Sequence, residues 1–203
     1  MLLIKDFTPV DKYTKNPNGN WQYGYLLDIG GTLTLHRTPQ PDDFPGIDRW
    51  QSTDIDSVIS VMRNRTNKVV FPRPNHPKES WPTYTIPPNV LLLHPGETKT
   101  GQRAHDVVRW TCPRDGSYQV VGSFDGLDRF GDDTEVWVVI GNREGRKTMK
   151  AAIIDGYCRR LSIDGMEVDL WKNDVVDFIV GAGPRFGNDS VGLQVNIKQT
   201  KRR

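Results

Sequence analysis

The residues best suited to chemistry in this chain are its aromatic side chains, which include six Trp and six Tyr. The face of a sugar ring carries C–H bonds that pack on Trp and Tyr, and its hydroxyl edge needs Asn, Asp or Arg nearby. Trp50, Trp81 and Tyr84 lie in polar, proline-rich sequence, which makes them the stronger candidates for binding a sugar. The same rings could instead fold back and cover a sheet edge, and the sequence leaves both interpretations open.

Two further aromatic residues, Trp21 and Tyr23, directly follow a polar turn at residues 15–20. They are additional candidates for ligand binding. Trp110 and Trp137, by contrast, lie within strand-like runs, which predicts that they pack in the core.

A second kind of chemistry is indicated by the acidic loop at residues 125–133. Its carboxylates, with flexible glycines between them, could surround a hard cation such as calcium, which takes six to eight oxygen ligands. The candidate ligands are Asp125, Asp128, Asp132 and Asp133. The spacing is not that of an EF-hand loop, and the favoured interpretation is an ordinary Asp/Gly turn between two strands. Residues 188–190 form another oxygen-rich turn.

Catalytic patterns are weak in this sequence. Aspartates are plentiful but lie mostly in turns, so a hydrolase or lyase built on two carboxylates is a minor alternative. The four His residues are scattered without metal-ligand spacing, and the sequence has neither a nucleophile elbow nor a phosphate-binding glycine loop. The sequence therefore favours a non-catalytic protein and leaves an enzyme as the less favoured reading.

Charge and length exclude several classes of partner. The 203 residues include 27 basic and 25 acidic side chains, a net charge of +2, so no concentrated basic surface for nucleic acid is predicted. Residues 1–7 are too short and too soon charged for a membrane span or secretory signal, and they read as a first strand. The chain is then cytosolic or has lost a leader. Cys112 is expected to be a buried thiol, and a pairing with Cys158 stays open.

Short apolar runs between turn signals predict the fold class. They lie at 106–112, 118–124, 135–140, 168–170, 175–180 and 191–198. This pattern indicates an all-β antiparallel β-sandwich, jelly-roll-like, formed by residues 1–203 as one domain. Ten prolines concentrate in residues 36–95, which predicts a long ordered loop insertion with short edge strands near 58–62, 69–71 and 91–93. Residues 54–64 could instead form a short helix.

Several motifs in the chain resemble a known family. Residues 16–24 read NPNGNWQYG, residues 87–96 read PPNVLLLHPG, and residues 108–118 read VRWTCPRDGSY. Residues 174–181 and 188–193 read DVVDFIVG and NDSVGL. Their order resembles a bacterial β-sandwich domain of large secreted proteins, similar to jelly-roll carbohydrate-binding modules. The resemblance implies that Trp21 and Tyr23 are structural landmarks and that the protein is secreted or at the cell surface.

Together these features predict a lectin-like, non-catalytic module that recognises a glycan through loop aromatics, with calcium as a candidate structural ion. The alternative is a protein-interaction or assembly subunit that uses the same surfaces, for example as a homo-oligomer. A polysaccharide hydrolase or lyase is the less favoured alternative.

Overall fold

The structure is a computed structural model that describes residues 15–37, 40–41, 46–52, 59–70, 84–181 and 186–202. Within these ranges every regular element is a β-strand. In chain order the strands are β1 (Trp21–Leu26), β2 (Thr34–Leu35), β3 (Gln40–Pro41), β4 (Ile47–Trp50), β5 (Ser60–Asn64), β6 (Leu91–His94), β7 (Gly96–Glu97), β8 (Arg103–Thr111), β9 (Gly116–Gly126), β10 (Thr134–Asn142), β11 (Gly145–Ile154), β12 (Arg160–Leu170), β13 (Val175–Gly181) and β14 (Val191–Arg202).

The strands form two antiparallel sheets of seven strands each. The first sheet has the order β11-β10-β13-β8-β1-β2, with β7 paired to β8, and the second has the order β12-β9-β14-β6-β5-β4-β3. The inward residues of both sheets meet in one apolar core that includes Trp110, Tyr118, Phe124 and Phe178. The predicted all-β antiparallel sandwich is therefore confirmed.

Side-chain alternation explains how the sheets face each other. In β14, Leu193, Val195 and Ile197 enter the core, whereas Gln194 and Asn196 are exposed. Successive side chains of a strand point to opposite faces, so a strand covered on one side must alternate in this way. The predicted half-buried final strand is confirmed, and the outer face of β14 is polar at Gln194 and Asn196.

The strand predictions differ in quality along the chain. Five of the six predicted runs from residue 106 onward lie within β9, β10, β12, β13 and β14, and the run 106–112 extends one residue past the end of β8. The prediction missed β11, because this edge strand is mostly exposed and its residues, GRKTMKAAII, show no simple alternation. Its pairing with β10 contains a bulge at Val138–Val139, which breaks the period of two.

The middle of the chain corrects the expectation of edge strands. β5 and β6 each pair on both sides, so they are interior strands of the second sheet. The prolines are compatible with this because they lie between the strands, apart from Pro41 in the edge strand β3. Residues 60–64 form β5, so the alternative of a short helix at residues 54–64 is wrong for this part of the segment. Residues 53–58 lie outside the described residues, as do residues 1–14, which include the predicted first strand.

A second apolar cluster covers the outer face of the second sheet near β4, β5 and β6. It consists of Ile47, Met62, Ile86, Val90, Leu92 and Leu127, with Val70 and Tyr84 packed against it. A backbone bridge between Val70 and Ile86 holds the covering segments together. The described part of the proline-rich insertion thus covers the outer face near β4, β5 and β6, whereas Gln194 and Asn196 of β14 and Val121 of β9 are exposed.

A buried polar network ties the insertion to both sheets. The His36 Nε2 lies 2.9 Å from Asp106 Oδ1, and the His94 backbone N–H donates to Asp106 Oδ2 at 3.2 Å. His36 Nδ1 lies 3.2 Å from the Ser52 hydroxyl. All four side chains are buried. The Ser–His–Asp arrangement is enclosed in protein, and the Ser52 hydroxyl also donates to the Leu35 carbonyl at 3.3 Å, which favours a structural role.

Candidate functional site

The aromatic residues predicted to bind sugar are largely enclosed. Trp50 lies in β4 and not in a loop, and its side chain is fully buried. Its ring packs against the Tyr23 ring, with 4.3 Å between centroids. The prediction of Trp50 as an exposed loop aromatic is therefore wrong, because the four-residue strand β4 directs this ring into the core.

Trp21 and Tyr23 are also core residues. They occupy alternate positions of β1 and are 3% and 2% exposed. Burial raises the pKa of Tyr23 to about 12. Neither ring is open to a sugar in solution, so their selection as ligand-binding residues is corrected in favour of core packing.

The other two loop aromatics have different outcomes. Tyr84 is half-buried, forms a backbone bridge with Asp128 and packs on the apolar cluster that covers the second sheet. Its placement matches the alternative in which an aromatic covers a sheet. Trp81 lies outside the described residues.

The four aspartates of the acidic loop have separate positions. Asp125 accepts hydrogen bonds from the Ser123 hydroxyl at 2.7 Å and from the Arg160 guanidinium. Asp128 is buried and accepts the Phe130 N–H at 3.0 Å, whereas Asp132 and Asp133 are exposed. Across the described ranges, no three or more His, Cys, Asp or Glu side chains form a metal-binding group. The predicted four-aspartate calcium site is therefore corrected, because Asp125 is on the sheet face and pairs with arginine.

The two cysteines do not pair. Cys112 is buried, and its thiol lies 3.0 Å from the Arg114 carbonyl oxygen, whereas Cys158 is exposed. The expectation of a buried free thiol at Cys112 is confirmed, and burial raises the pKa of that thiol.

An open groove lies on the outer face of the second sheet. Three adjoining cavities of about 210, 240 and 350 Å³ make up this surface, here named the sheet groove. Asn89 and Leu91 line both smaller cavities, and Gln194 lines the 240 and 350 Å³ cavities. The cavities are therefore neighbours along one surface that crosses the start of β6 and the middle of β14 and β9.

Alternation along two paired strands supplies the floor of the sheet groove. Gln194 pairs with Ser123, and Asn196 pairs with Val121. Because the flanking residues Leu193 and Val195 are in the core, these positions face outward. The floor therefore presents two amides and an apolar surface at Val121, which is 45% exposed, whereas Ser123 is buried and donates its hydroxyl to Asp125.

The wall of the 350 Å³ cavity carries an exposed aromatic ring. Tyr157 is 46% exposed and lines this cavity together with Asp125, Arg160, Thr85 and Gln194. The Asp125–Arg160 pair lies where β9 meets β12, since the two residues are register partners. The hydrogen bond and charge of Asp125 raise the pKa of Arg160, so the guanidinium stays charged.

A tight loop between β11 and β12 holds Tyr157 in place. Gly156 and Cys158 on either side both have positive φ, 99° and 60°. The Cys158 N–H donates to the Gly126 carbonyl at 2.9 Å, and the Gly126 N–H donates to the Arg159 carbonyl at 2.8 Å. A Cβ on Gly126 would lie 2.2 Å from the Gly156 oxygen, so this close approach requires glycine.

The sequence pattern contained part of this site. The polar face of β14 was visible in its alternation, but Tyr157 and Arg160 were not singled out, because neither belongs to a motif or a periodic run. The sequence signal that could have indicated an exposed ring is Tyr157 itself, which lies between Gly156 and Cys158 in a turn. Only the pairing of β12 with β9 brings these residues to the β14 face.

Chemically, the 240 and 350 Å³ cavities combine an exposed ring, neutral amides and an ion pair whose charges largely cancel, whereas Arg63 and Arg65 line the 210 Å³ cavity. Amide and hydroxyl groups can both donate and accept hydrogen bonds, as sugar hydroxyls do. The part of the chain that the structure describes contains no helix with the length and apolar character needed to cross a bilayer.

Comparisons with known proteins show similarity in fold alone. No protein-family model matches the chain, and no curated protein matches it. The chain is similar to the solved structure of TmCBM61 in complex with β-1,4-galactotriose, with 13% identity and a TM-score of 0.36, over 72% of this chain and 92% of that one.

Two other solved structures are similar over a small part of their own length. One is the enzymatically active domain of tailspike protein 4 from bacteriophage CBA120, with 10% identity and a TM-score of 0.37, covering 89% of this chain and 19% of that one. The other is a β-glucosidase from Kluyveromyces marxianus in complex with glucose, with 12% identity and a TM-score of 0.30, covering 98% and 18%. Likenesses this distant assign no activity to this chain.

Proposed function

We propose that this protein is a non-catalytic carbohydrate-binding module whose glycan lies in the sheet groove. The observation that carries the proposal is the exposed Tyr157 ring beside a floor with the exposed amides of Gln194 and Asn196. A sugar needs an aromatic surface for its C–H face and amide or hydroxyl groups for its edge, and the sheet groove supplies both.

The charge of the 350 Å³ cavity, away from Arg63 and Arg65 of the 210 Å³ cavity, favours a neutral glycan there. Asp125 and Arg160 form an ion pair at the wall, so neither presents an uncompensated charge to a ligand. A polar pair of this kind can still bind hydroxyls, with the carboxylate accepting and the guanidinium donating. The Asn89 side chain is exposed at the junction of the two smaller cavities and adds a further amide.

The proposal is tested by glycan-array screening followed by calorimetric titration of the best ligand. Tyr157→Ala should weaken binding about tenfold, because about 55 Å² of covered ring at roughly 25 cal/mol per Å² is about 1.4 kcal/mol. Gln194→Ala should also weaken binding. Neither variant should lower the melting temperature by more than a few degrees, since both side chains are exposed.

Trp171→Ala is the matched control. Trp171 is 42% exposed, close to the exposure of Tyr157, but it follows the opposite end of β12. Eleven strand residues separate the two ends, about 35 Å at roughly 3.3 Å per residue. Equal affinity of the Tyr157→Ala and Trp171→Ala variants, or no glycan bound by wild type, would contradict the proposal.

The two alternative functions give different results in the same experiments. An assembly subunit that buries the sheet groove would form a stable oligomer in light scattering and would bind no glycan. A hydrolase or lyase would release reducing ends or unsaturated products from mixed polysaccharides. The binding module should do neither.

A further inference from the structure

Three loops meet at the end of the sandwich next to the sheet groove. They are the β9–β10 loop, the β11–β12 loop and the segment that leads into β14. The Leu127 N–H donates to the Ser190 carbonyl at 2.9 Å, which joins the first loop to the third. Between the loops is a cavity of about 10 Å³, lined by side chains or backbone of Asp128, Thr134, Asn188 and Ser190. This volume has room for one ion or one water molecule.

An unpartnered carboxylate oxygen lies at this meeting point. Asp189 is only 1% exposed, and its Oδ1 accepts a hydrogen bond from the Thr134 hydroxyl at 2.9 Å. Its Oδ2 is buried and has no hydrogen-bond partner among the described residues. The Ser190 side chain is 2% exposed, and its hydroxyl also has no hydrogen-bond partner among the described residues. Buried polar atoms are rarely left in this state, because the lost hydration is costly.

The electrostatic environment makes an unpartnered carboxylate still less favourable. Burial, together with the negative charges of Asp132, Asp128 and Asp133, raises the pKa of Asp189 to about 7, although the Thr134 hydrogen bond lowers it. Several negative groups therefore act on one enclosed position. A bound cation would relieve their mutual repulsion and supply Asp189 with a partner.

We propose that a calcium ion binds at this cavity, held by Asp128 and Ser190, which line it, and by the adjacent Asp189, whose hydrogen-bond partner Thr134 also lines it. All the available ligands are oxygens, which suits a hard cation and not zinc or copper. The Asn188 carbonyl is also close, since it lies 2.8 Å from the position a Cβ on Gly131 would occupy. Calcium accepts such mixtures of carboxylate, hydroxyl and carbonyl oxygens in irregular geometry, whereas magnesium requires a near-ideal octahedron.

This site differs from a site made by the acidic loop alone. Asp189 and Ser190 come from the turn before β14, about 60 residues after Asp128 in sequence. Asp132 and Asp133 are exposed and contribute charge. The site is independent of the proposed glycan-binding function, because Tyr157 and Gln194 are not among its ligands.

The test is calcium binding by the whole chain after treatment with a chelator. Equilibrium dialysis should show one calcium per chain, and the melting temperature should rise with calcium concentration and much less with magnesium. Asp189→Asn should lose this response, and Ser190→Ala should weaken it. Asp164→Asn, which removes an exposed aspartate from β12, is the matched control and should respond like wild type.

Two outcomes would overturn the proposal. One is a wild-type protein that binds no calcium, with Asp189 protonated instead. The other is a calcium response that Asp189→Asn retains in full. If Asp189→Asn does not fold, the dialysis stoichiometry of wild type and Ser190→Ala still decides the question.

Discussion

Replacement of Trp50 by alanine distinguishes a core role from a binding role for the aromatic residues of the proline-rich region. Trp50 is fully buried and contacts Tyr23, so truncation leaves a cavity between β4 and β1. A buried aromatic side chain covers about 150–250 Å², which at roughly 25 cal/mol per Å² corresponds to about 4–6 kcal/mol. Measured losses for such truncations are about 3–5 kcal/mol.

This loss is a large part of the stability of a domain. At about 2–4 °C per kcal/mol for a chain of this size, the melting temperature should fall by roughly 6–20 °C. The Trp50 indole N–H is buried without a hydrogen-bond partner among the described residues. Trp50→Phe should therefore lower the free energy of unfolding much less than Trp50→Ala. The Phe ring keeps most of the packing, and the described residues provide no hydrogen bond to the indole N–H that could be lost.

The assay combines urea denaturation with glycan titration below the unfolding transition. Trp50→Ala should keep the wild-type affinity in its folded fraction, because its side chain does not line the sheet groove. Tyr157→Ala should show the reverse, with normal stability and weak binding. A Trp50→Ala protein that melts like wild type but binds no glycan would refute the assignment of Trp50 to the core.

Two further predictions concern buried polar groups. His36→Ala should destabilise the protein by about 3–5 kcal/mol, because it removes a partner of the buried Asp106 carboxylate, and Asp106→Asn added to it should recover part of the loss in a double-mutant cycle. In chelator, the free energy of unfolding of wild type minus that of Asp189→Asn should fall as pH rises from about 4 to about 7, because the pKa of Asp189 is raised from 3.8 to about 7 in the folded state and the proton is bound more tightly there. The comparison with Asp189→Asn is needed because burial lowers the pKa of His94 to about 4, which contributes in the opposite direction in both proteins. The full shift of Asp189 corresponds to at most about 4 kcal/mol, measured by urea titrations of both proteins at pH 5 and pH 8. A difference that rises over the same interval would contradict the second prediction.

The last strand, β14, shows what can be predicted from local sequence. The alternation of Leu193, Val195 and Ile197 with Gln194 and Asn196 predicts a strand, its buried face and its polar face, and the structure has all three. This works because the period of two is a local property of the backbone, and one-sided burial imposes it on the residue types.

Local sequence was less informative for Trp50 and for β5 and β6. Proline-rich surroundings predict loops and edges, yet the prolines only flank interior strands, and β4 turns Trp50 into the core. Which side of a four-residue strand is buried depends on what the opposite sheet places against it. In this case it is Tyr23 of β1, distant in sequence.

The sequence by itself determined the fold class, most of the long strands and the polar face of β14, since hydrophobic periodicity and turn residues encode these locally. Only the tertiary structure decided that Tyr157 and Arg160 join that face and that Asp189 lies next to a cavity lined by Asp128 and Ser190. Both assemblies depend on antiparallel pairing and loop contacts between segments about 35–60 residues apart. No local pattern records such contacts, because they arise when distant segments fold against the same core.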